Sequence, residues 1–345
     1  MCCSERNELP GSLKSLHELT RRFSTLAIIG TEKATGKTEV LRKLIRIACA
    51  RGRRIGVTSL GTEGEQQEST ATPQRLAVCE GVLFATLEGL FRSTKTLSEL
   101  LHLSSFSTAI GKIVVARALA SGELMLSGPV SSSQIHEIIK VFRDAGAEQI
   151  ILDGYAARTT HAVPSIADGI ILATGATLSG YIDELVERTL DVICLVSLKE
   201  VHESLKQDLV DLEQGVWVIE RGRVKKIEKK TILSLSADYL EEGDIIYSTG
   251  AVGESFVRSI LDKDLQSGLT IVVRDFTRLF VSSRTLSSFL ERGGSVKVID
   301  KATLAAVTVN PVSGTGSVTD SRAFIEALSA KTDIPVIDVC MENSP

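Results

Sequence analysis

The chain has 345 residues, 43% of them hydrophobic, and a net charge of −4 at pH 7. This length and composition indicate a globular protein with room for two domains, and the absence of a long basic run makes nucleic acid an unexpected partner. No apolar stretch reaches the roughly 18 residues that span a bilayer, and the N-terminus lacks a signal-peptide core, so we expect a cytoplasmic protein without a membrane partner.

The cysteines have no spacing that favours a metal site or a disulfide framework. None of them forms a C-x-x-C pair, and they are scattered over the whole chain. A zinc site and a disulfide framework are therefore not expected. The six positions are Cys2, Cys3, Cys49, Cys79, Cys194 and Cys340.

The first feature along the chain after a predicted N-terminal helical arm (1–25) is the loop T-E-K-A-T-G-K-T at 31–38. It lies between an apolar strand pattern at 26–29 and a helical pattern from Val40 to Ala48, which is the order of strand, loop and helix in a phosphate-binding loop. Backbone N–H groups of such a loop point at phosphates, and the following helix adds about half a positive charge at its N-terminus. The predicted cofactor-binding residues are Gly30, Thr31, Glu32, Lys33, Ala34, Thr35, Gly36, Lys37 and Thr38.

Two residues at the end of this loop have distinct expected roles. Lys37 would neutralise charge on the β- and γ-phosphates of ATP, and Thr38 would place its hydroxyl on Mg²⁺. The spacing is a variant, because Thr31 stands where the common G-x-x-x-x-G-K-[ST] pattern has its first glycine. The alternative is a glycine-bearing turn between a strand and a helix, with an exposed lysine.

A second strand pattern, Ile55 to Ser59, runs into an acidic loop at 60–73. In phosphate-loop enzymes a loop at this position often carries a metal or switch residue, so Glu63 is a candidate metal ligand. A solvated loop explains the same residues equally well.

The segment I-I-L-D-G at 150–154 predicts a buried parallel strand with Asp153 at its carboxyl end, where open α/β sheets place ligands. A buried carboxylate is costly without a partner, so Asp153 needs a metal ion, a capping role or an arginine such as Arg158. We predict Lys37, Asp153 and Arg158 as catalytic residues and Thr38, Asp153 and Glu63 as metal ligands. Ser165 and Asp168, in the polar stretch that follows, are candidate contacts for a substrate or partner.

The pattern changes after residue 203. A predicted hairpin, Val216 to Ile219 with Val224 to Ile227, is followed by alternating strands and helices. The predicted fold class is α/β: a parallel sheet flanked by helices, like that of P-loop NTPases, at 26–203, and a second, smaller α/β unit at 204–345. Asn310 ends one of the later strands, and there we favour a turn before Pro311 over contact with a nucleobase.

The loop G-T-E-K-A-T-G-K-T resembles that of dethiobiotin synthetase and the MinD group, with Glu32 in place of an aspartate. More of the chain resembles the reactivase subunit of the cobalamin-dependent lysine 5,6-aminomutase. One departure is Ala157, where relatives are expected to carry a polar residue. The similar blocks are V-T-S-L-G-T-E-G-E (57–65), S-T-A-I-G-K-I-V-V-A-R (107–117), L-S-G-P (126–129), I-L-D-G-Y-A-A-R (151–158), P-S-I-A-D-G-I-I-L-A-T-G-A (164–176), V-R-D-F-T-R-L-F (273–280) and A-V-T-V-N-P (306–311).

This resemblance implies a weak ATPase that uses ATP and Mg²⁺ to release damaged cobalamin from an aminomutase. It also implies a partner ATPase subunit, and therefore a hetero-oligomer. Two alternatives stay open at this point. One is an ATP-dependent ligase or kinase of the dethiobiotin synthetase type, and the other is a nucleotide-binding regulator that does not hydrolyse.

Overall fold

The computed structural model describes residues 11–60, 75–108, 111–129, 131–156, 164–220, 223–227, 240, 244–312 and 318–340. These residues fall into two compact units. Unit 1 is built from described residues within 1–162, 166–190 and 304–345, and unit 2 from those within 163–165 and 191–303.

The described chain contains both strands and helices, and several strands follow one another without a helix between them. In chain order the elements are α1 (Gly11–Thr20), β1 (Thr25–Gly30), α2 (Lys37–Arg51), β2 (Ile55–Ser59), β3 (Arg75–Val78), β4 (Leu83–Leu87), α3 (Glu88–Ser93), β5 (Ser98–Thr108), β6 (Gly111–Ala118), β7 (Gly122–Met125), α4 (Ser132–Asp144), β8 (Gln149–Ala156), β9 (Gly169–Gly175), α5 (Ile182–Val196), β10 (Lys199–Glu200), α6 (Glu203–Leu209), β11 (Val216–Glu220), β12 (Arg223–Ile227), β13 (Ile245–Ser248), β14 (Val252–Gly253), α7 (Glu254–Asp262), β15 (Thr270–Val273), β16 (Leu279–Phe280), α8 (Ser283–Glu291), β17 (Ser295–Val298), β18 (Leu304–Asn310), α9 (Ser321–Ser329) and β19 (Val336–Asp338).

Unit 1 contains a large, mostly parallel sheet flanked by helices. Its nine strands run in the order β19-β18-β9-β1-β8-β2-β4-β6-β5. The first seven strands are parallel to one another, and β6 and β5 complete one edge, with β6 antiparallel to both β4 and β5. The mixed α/β class with a dominant parallel sheet is therefore confirmed.

The central strands are buried because their sequences are apolar on both faces. Every residue of β1 (TLAIIG) and β9 (GIILATG) is buried, as expected for parallel strands covered by helices on both sides. Helix α2 packs Val40, Leu41 and Leu44 into the same core and ends at Gly52, whose φ of 62° gives the left-handed cap that the glycine predicted.

The last described segment belongs to unit 1, whereas the sequence predicted it within a C-terminal unit at 204–345. Strand β18 pairs in parallel with β9, from Leu304 beside Ile170 to Asn310 beside Gly175, and β19 extends the sheet beyond it. The strand pattern itself was predicted. Which sheet a strand joins depends on pairing between residues far apart in the chain, so local patterns do not reveal it.

The partner of β6 also differs from the prediction. The sequence suggested a hairpin between 112–119 and 123–127, but β6 pairs with β5, and β7 pairs with β3 in a separate two-stranded sheet. The sequence did not indicate β5 because it is an edge strand. Its Leu100, Leu103 and Phe106 are exposed, so its apolar residues do not follow the alternation of a half-buried strand.

Unit 2 has a six-stranded sheet in the order β10-β17-β15-β13-β11-β12. Its first four strands are parallel. The predicted hairpin is confirmed: β11 and β12 pair antiparallel, with Val216 opposite Ile227. The core of this unit includes Leu209, Tyr247 and Val272, which lie on three different elements. The N-terminus of α8 is capped by Ser282, whose hydroxyl accepts a hydrogen bond from Thr285 N.

A disulfide joins Cys49 on α2 to Cys79 just after β3, with their Cα atoms 5.8 Å apart. The sequence indicated no disulfide framework, and it did not predict this single bond. The thirty-residue separation carries no recognisable motif, and the two cysteines meet only because β3 packs on α2. Within the described part of the chain, no helix is both long and apolar enough to cross a bilayer.

Candidate functional site

The loop from Gly30 to Thr38 is closed by two residues with left-handed backbone. Ala34 has a φ of 58° and Gly36, the residue before α2, a φ of 97°. Gly30 allows the loop to fold back on itself, because a Cβ on this residue would lie 2.6 Å from Thr35 Oγ1 and 2.7 Å from Lys37 Nζ. These backbone conformations bring the two ends of the loop together at the N-terminus of α2.

Lys37 is half-buried, and its side chain folds back onto the loop. Its Nζ donates to the carbonyl oxygen of Glu32 at 3.0 Å, and Thr35 Oγ1 donates to the same oxygen at 3.1 Å. The ammonium group is therefore held at the start of a fifteen-residue helix, whose dipole adds further positive potential. A lysine at this position can bind the phosphate groups of a ligand.

Neighbouring strands fix the position of the loop. Thr31 N donates to the carbonyl of Ala173 in β9 at 3.0 Å, and Thr177 Oγ1 donates to the carbonyl of Ala34 at 3.0 Å. On the other side Gly36 faces Asn310, since a Cβ on Gly36 would lie 2.7 Å from Asn310 Cβ. The loop therefore rests on the carboxyl ends of β9 and β18.

Asn310 forms the predicted turn. Its Oδ1 accepts a hydrogen bond from Val312 N at 3.1 Å, which closes a turn across Pro311. The same oxygen accepts from Cys340 Sγ at 3.1 Å. The side chain is thus held in place next to Gly36 by contacts within the protein.

Asp153 carries the most perturbed carboxyl group near the loop. Its Oδ1 is buried and has no hydrogen-bond partner among the described residues. Burial raises the pKa of Asp153 from its usual value of 3.8 to about 6, and the positive charge of Lys37 partly opposes this rise. The charge of Lys37 therefore acts on the carboxyl group of Asp153.

Strand β8 continues to Ala156, so Asp153 lies within the strand and not at its last residue. It pairs with Ile28 on β1 and with Ser59 on β2. Between Ile28 and Gly30 the register with β8 shifts, and this irregularity falls just after the pair that contains Asp153. The carboxylate thus lies where the ladder between β1 and β8 loses its regular register.

The L-S-G-P segment at 126–129 reaches the same edge of the sheet. A Cβ on Gly128 would lie 1.7 Å from the carbonyl oxygen of Ser59, which neighbours Asp153 in the sheet. Only glycine permits this approach. The sequence analysis included this segment only as one of the blocks that resemble the reactivase subunit. It did not predict the contact with Ser59, because a single glycine does not indicate which part of the backbone lies against it.

The remaining predicted residues are placed as follows. Thr38 is half-buried in the first turn of α2, and Lys33 is exposed on the loop. Glu63 and Arg158 lie outside the described residues, in the gaps at 61–74 and 157–163. Among the residues that the structure describes, no group of three or more His, Cys, Asp or Glu side chains could hold a metal ion.

Asp168, predicted to contact a substrate or partner, makes hydrogen bonds to the start of β1 in the structure. Its carboxylate accepts hydrogen bonds from Ser24 N, Ser24 Oγ and Thr25 N at 2.8 to 2.9 Å. These contacts fix the start of β1 and use both carboxylate oxygens. Ser165 is assigned to unit 2, apart from the loop at 30–38.

Arg188 is a residue of this site that the sequence did not indicate. It lies on α5, and its Nη1 is 3.6 Å from Glu32 Oε1, while its Nη2 donates to Glu184 Oε1 at 2.8 Å. The spacing of Glu184 and Arg188 predicts their contact along one helix face. The contact with Glu32 joins residues that are far apart in the chain and has no local signal.

A scan against protein-family models finds no match to this chain, and a search of curated proteins finds no significant similarity.

Proposed function

We propose that this chain is a P-loop NTPase that binds ATP with Mg²⁺ at the loop from Gly30 to Thr38. The observation that carries the proposal is the position of Lys37, whose ammonium group is hydrogen-bonded back to the loop at the N-terminus of α2, close to Gly30. Backbone N–H groups, a helix dipole and a lysine are the features that bind the phosphates of nucleotides.

The residues present are suited to a magnesium ion bound together with phosphates. Asp153 has a buried oxygen without a hydrogen-bond partner in the described part of the chain, and Thr38 offers a hydroxyl in the first turn of α2. Magnesium usually takes only one or two protein ligands and completes its shell with water and phosphate oxygens. When bound, it would neutralise charge on the β- and γ-phosphates. Glu63 and Arg158 stay candidates for a metal ligand and a catalytic arginine.

Lys37 and the loop backbone would orient the phosphates in this proposal. Lys37 would exchange its hydrogen bond to the Glu32 carbonyl for bonds to phosphate oxygens, which is a local movement of one side chain. Asp153 would orient water or the metal shell as a carboxylate. These roles predict weak hydrolysis by the isolated chain, because no described residue is placed as a strong general base.

We further propose that nucleotide binding drives reactivation of a cobalamin-dependent aminomutase, together with a partner ATPase subunit. The support for this purpose is the resemblance of blocks in both halves of the sequence. A reactivase needs different affinities for its aminomutase in the ATP and ADP states, because a ligand shifts a conformational equilibrium only by its differential affinity. The loops that carry Glu63 and Arg158 are candidate sensors of the γ-phosphate.

The first test is calorimetric titration of the purified chain with ATP, GTP and ADP in the presence of Mg²⁺. Lys37→Ala should weaken ATP binding at least about tenfold, since a charge-assisted contact to phosphate is lost. Lys140→Ala, which removes an exposed lysine from α4, serves as the charge-matched control. Equal ATP affinity in Lys37→Ala and the original chain would contradict the proposed site.

The second test measures phosphate release with the aminomutase encoded nearest to the gene for this chain. The reactivase proposal predicts slow basal hydrolysis that rises when inactivated aminomutase is added, with release of the damaged cobalamin. Stoichiometric phosphate release that depends on a small carboxylate or amine would support the ligase alternative instead. Tight ATP binding with no hydrolysis under either condition would support the regulator.

A further inference from the structure

The loop from Gly30 to Thr38, called here the phosphate-binding candidate loop, carries one acidic side chain, that of Glu32. Glu32 is exposed, and its backbone carbonyl is the oxygen that accepts the hydrogen bonds from Lys37 and Thr35. A carboxylate at this position would repel the phosphates of a nucleotide, because like charges disfavour one another at short range. A cation beside Glu32 would offset this repulsion.

Arg188 is placed to supply that cation. Its guanidinium lies 3.6 Å from the Glu32 carboxylate, and it is anchored on its own helix by Glu184 at 2.8 Å. Glu184 is held in turn by Ser179, whose hydroxyl donates to its other oxygen at 2.6 Å. The contacts from Ser179 to Glu184 and from Glu184 to Arg188 hold the arginine beside the loop. Glu184 and Arg188 belong to α5, and Ser179 lies just before it.

A second contact ties the same segment to the loop. Thr177 Oγ1 donates to the carbonyl of Ala34, the residue with a φ of 58°. The segment from Thr177 to Arg188 thus contacts the loop at two points. Thr177 binds the backbone of Ala34, and Arg188 contacts the side chain of Glu32. The position of Glu32 relative to the ligand site depends on both contacts.

We propose that Arg188 is a positioning residue of the nucleotide site, which holds the Glu32 carboxylate away from the phosphates and neutralises it. This inference rests on the proposed binding of ATP at the loop. It assigns Arg188 an effect on nucleotide affinity that acts through Glu32 and not through direct contact with a phosphate. Arginine suits this role because its planar fork can pair with two carboxylates at once.

The test is a double-mutant cycle on MgATP affinity, measured by calorimetry. Arg188→Ala should weaken binding by about tenfold, since it leaves Glu32 charged and free to face the phosphates. Glu32→Gln should bind at least as well as the original chain. The double variant Glu32→Gln with Arg188→Ala should bind within about twofold of Glu32→Gln alone, because no carboxylate is left to neutralise.

Two controls separate this role from a general effect on folding. Glu187→Gln changes the exposed neighbour of Arg188 on α5 and should leave ATP affinity unchanged. Circular dichroism and the thermal unfolding midpoint show whether each variant is folded. Rescue by Glu32→Gln is not expected if Arg188→Ala merely loosens α5, so the double variant distinguishes the two causes.

Failure of this inference is distinct from failure of the proposed function. If the original chain binds no nucleotide, the proposed ATP site itself is wrong. If it binds ATP and Arg188→Ala binds equally well, only the role of Arg188 is overturned. The same holds if Arg188→Ala weakens binding and the double variant does not recover, because Arg188 would then act independently of Glu32.

Discussion

At the scale of single residues, the candidate site is marked by two acidic side chains, those of Asp153 and Glu32. Asp153 has a buried oxygen without a partner in the described structure, and Glu32 stands at the mouth of a loop that would receive phosphates. The proposed ligand would account for both residues. The carboxylate of Asp153 would face Mg²⁺, and the carboxylate of Glu32 would have to be held away from the phosphates.

Asp153 should make stability depend on pH in the absence of Mg²⁺ and nucleotide. Its folded-state pKa of about 6 lies above the usual 3.8, so between these values the folded protein binds more protons than the unfolded chain. Its contribution to stability is therefore fully present below about pH 4 and is lost as the pH rises through 6. The loss corresponds to about 3 kcal/mol at pH 7.5.

Asp153→Asn removes this titration and should raise the urea midpoint of unit 1 at pH 7.5, measured in EDTA. The gain should shrink as the pH falls from 6.5 to 4, because the original aspartate then becomes protonated. The same substitution should weaken the dependence of ATP binding on Mg²⁺. A lower midpoint for Asp153→Asn at pH 7.5 would show that the carboxylate is stabilised by groups outside the described residues.

At the scale of elements, the strand, loop and helix at 25–51 were predictable because each carries a local signal. The apolar run, the loop with its G-K-T end, and the helical spacing ending at Gly52 all appear in sequence order. Strand β5 was not predicted, and β7 was predicted to pair with β6 but pairs with β3. β5 is an exposed edge strand, and β7 is four residues long, so neither carries enough alternation to identify its neighbour.

The junction of loop and helix gives a prediction about Gly36. Alanine at this position must adopt a φ near 97° and would also place its Cβ 2.7 Å from Asn310 Cβ. Gly52 at the other end of α2 has a φ of 62° and no atom within 4 Å of its Cβ position, so it isolates the cost of the backbone conformation. That cost is about 1 kcal/mol for alanine.

Gly36→Ala should therefore lower the free energy of unfolding by about 2 kcal/mol or more, and Gly52→Ala by only about 1 kcal/mol. Urea unfolding of both variants provides the comparison. Only Gly36→Ala should weaken ATP binding, because the steric conflict displaces the loop. Equal losses of stability in the two variants would mean that Asn310 moves aside at little cost.

At the scale of the whole molecule, a disulfide joins two elements of unit 1 that are thirty residues apart in the sequence. The disulfide between Cys49 and Cys79 ties α2, which begins at the phosphate-binding candidate loop, to the end of β3. Closing a loop of thirty residues restricts the unfolded chain and is expected to contribute about 3 to 4 kcal/mol.

The double variant Cys49→Ser with Cys79→Ser should lower the thermal unfolding midpoint of unit 1, and dithiothreitol should lower that of the original chain by a similar amount. Cys194→Ser removes an exposed thiol on α5 and serves as the control. A midpoint of the original chain that does not respond to the reductant would indicate that the two thiols are not joined in the isolated protein.

The sequence alone indicated many of the strands and helices, among them the strand, loop and helix at 25–51 and the apolar strand that contains Asp153. These features depend on residues close together in the chain, such as apolar runs and a glycine at the end of a helix. Only the tertiary structure decided that 304–340 completes the first sheet, that Cys49 meets Cys79, and that Arg188 faces Glu32. Each of these results is a contact between residues far apart in sequence, which packing brings together and which no local pattern records.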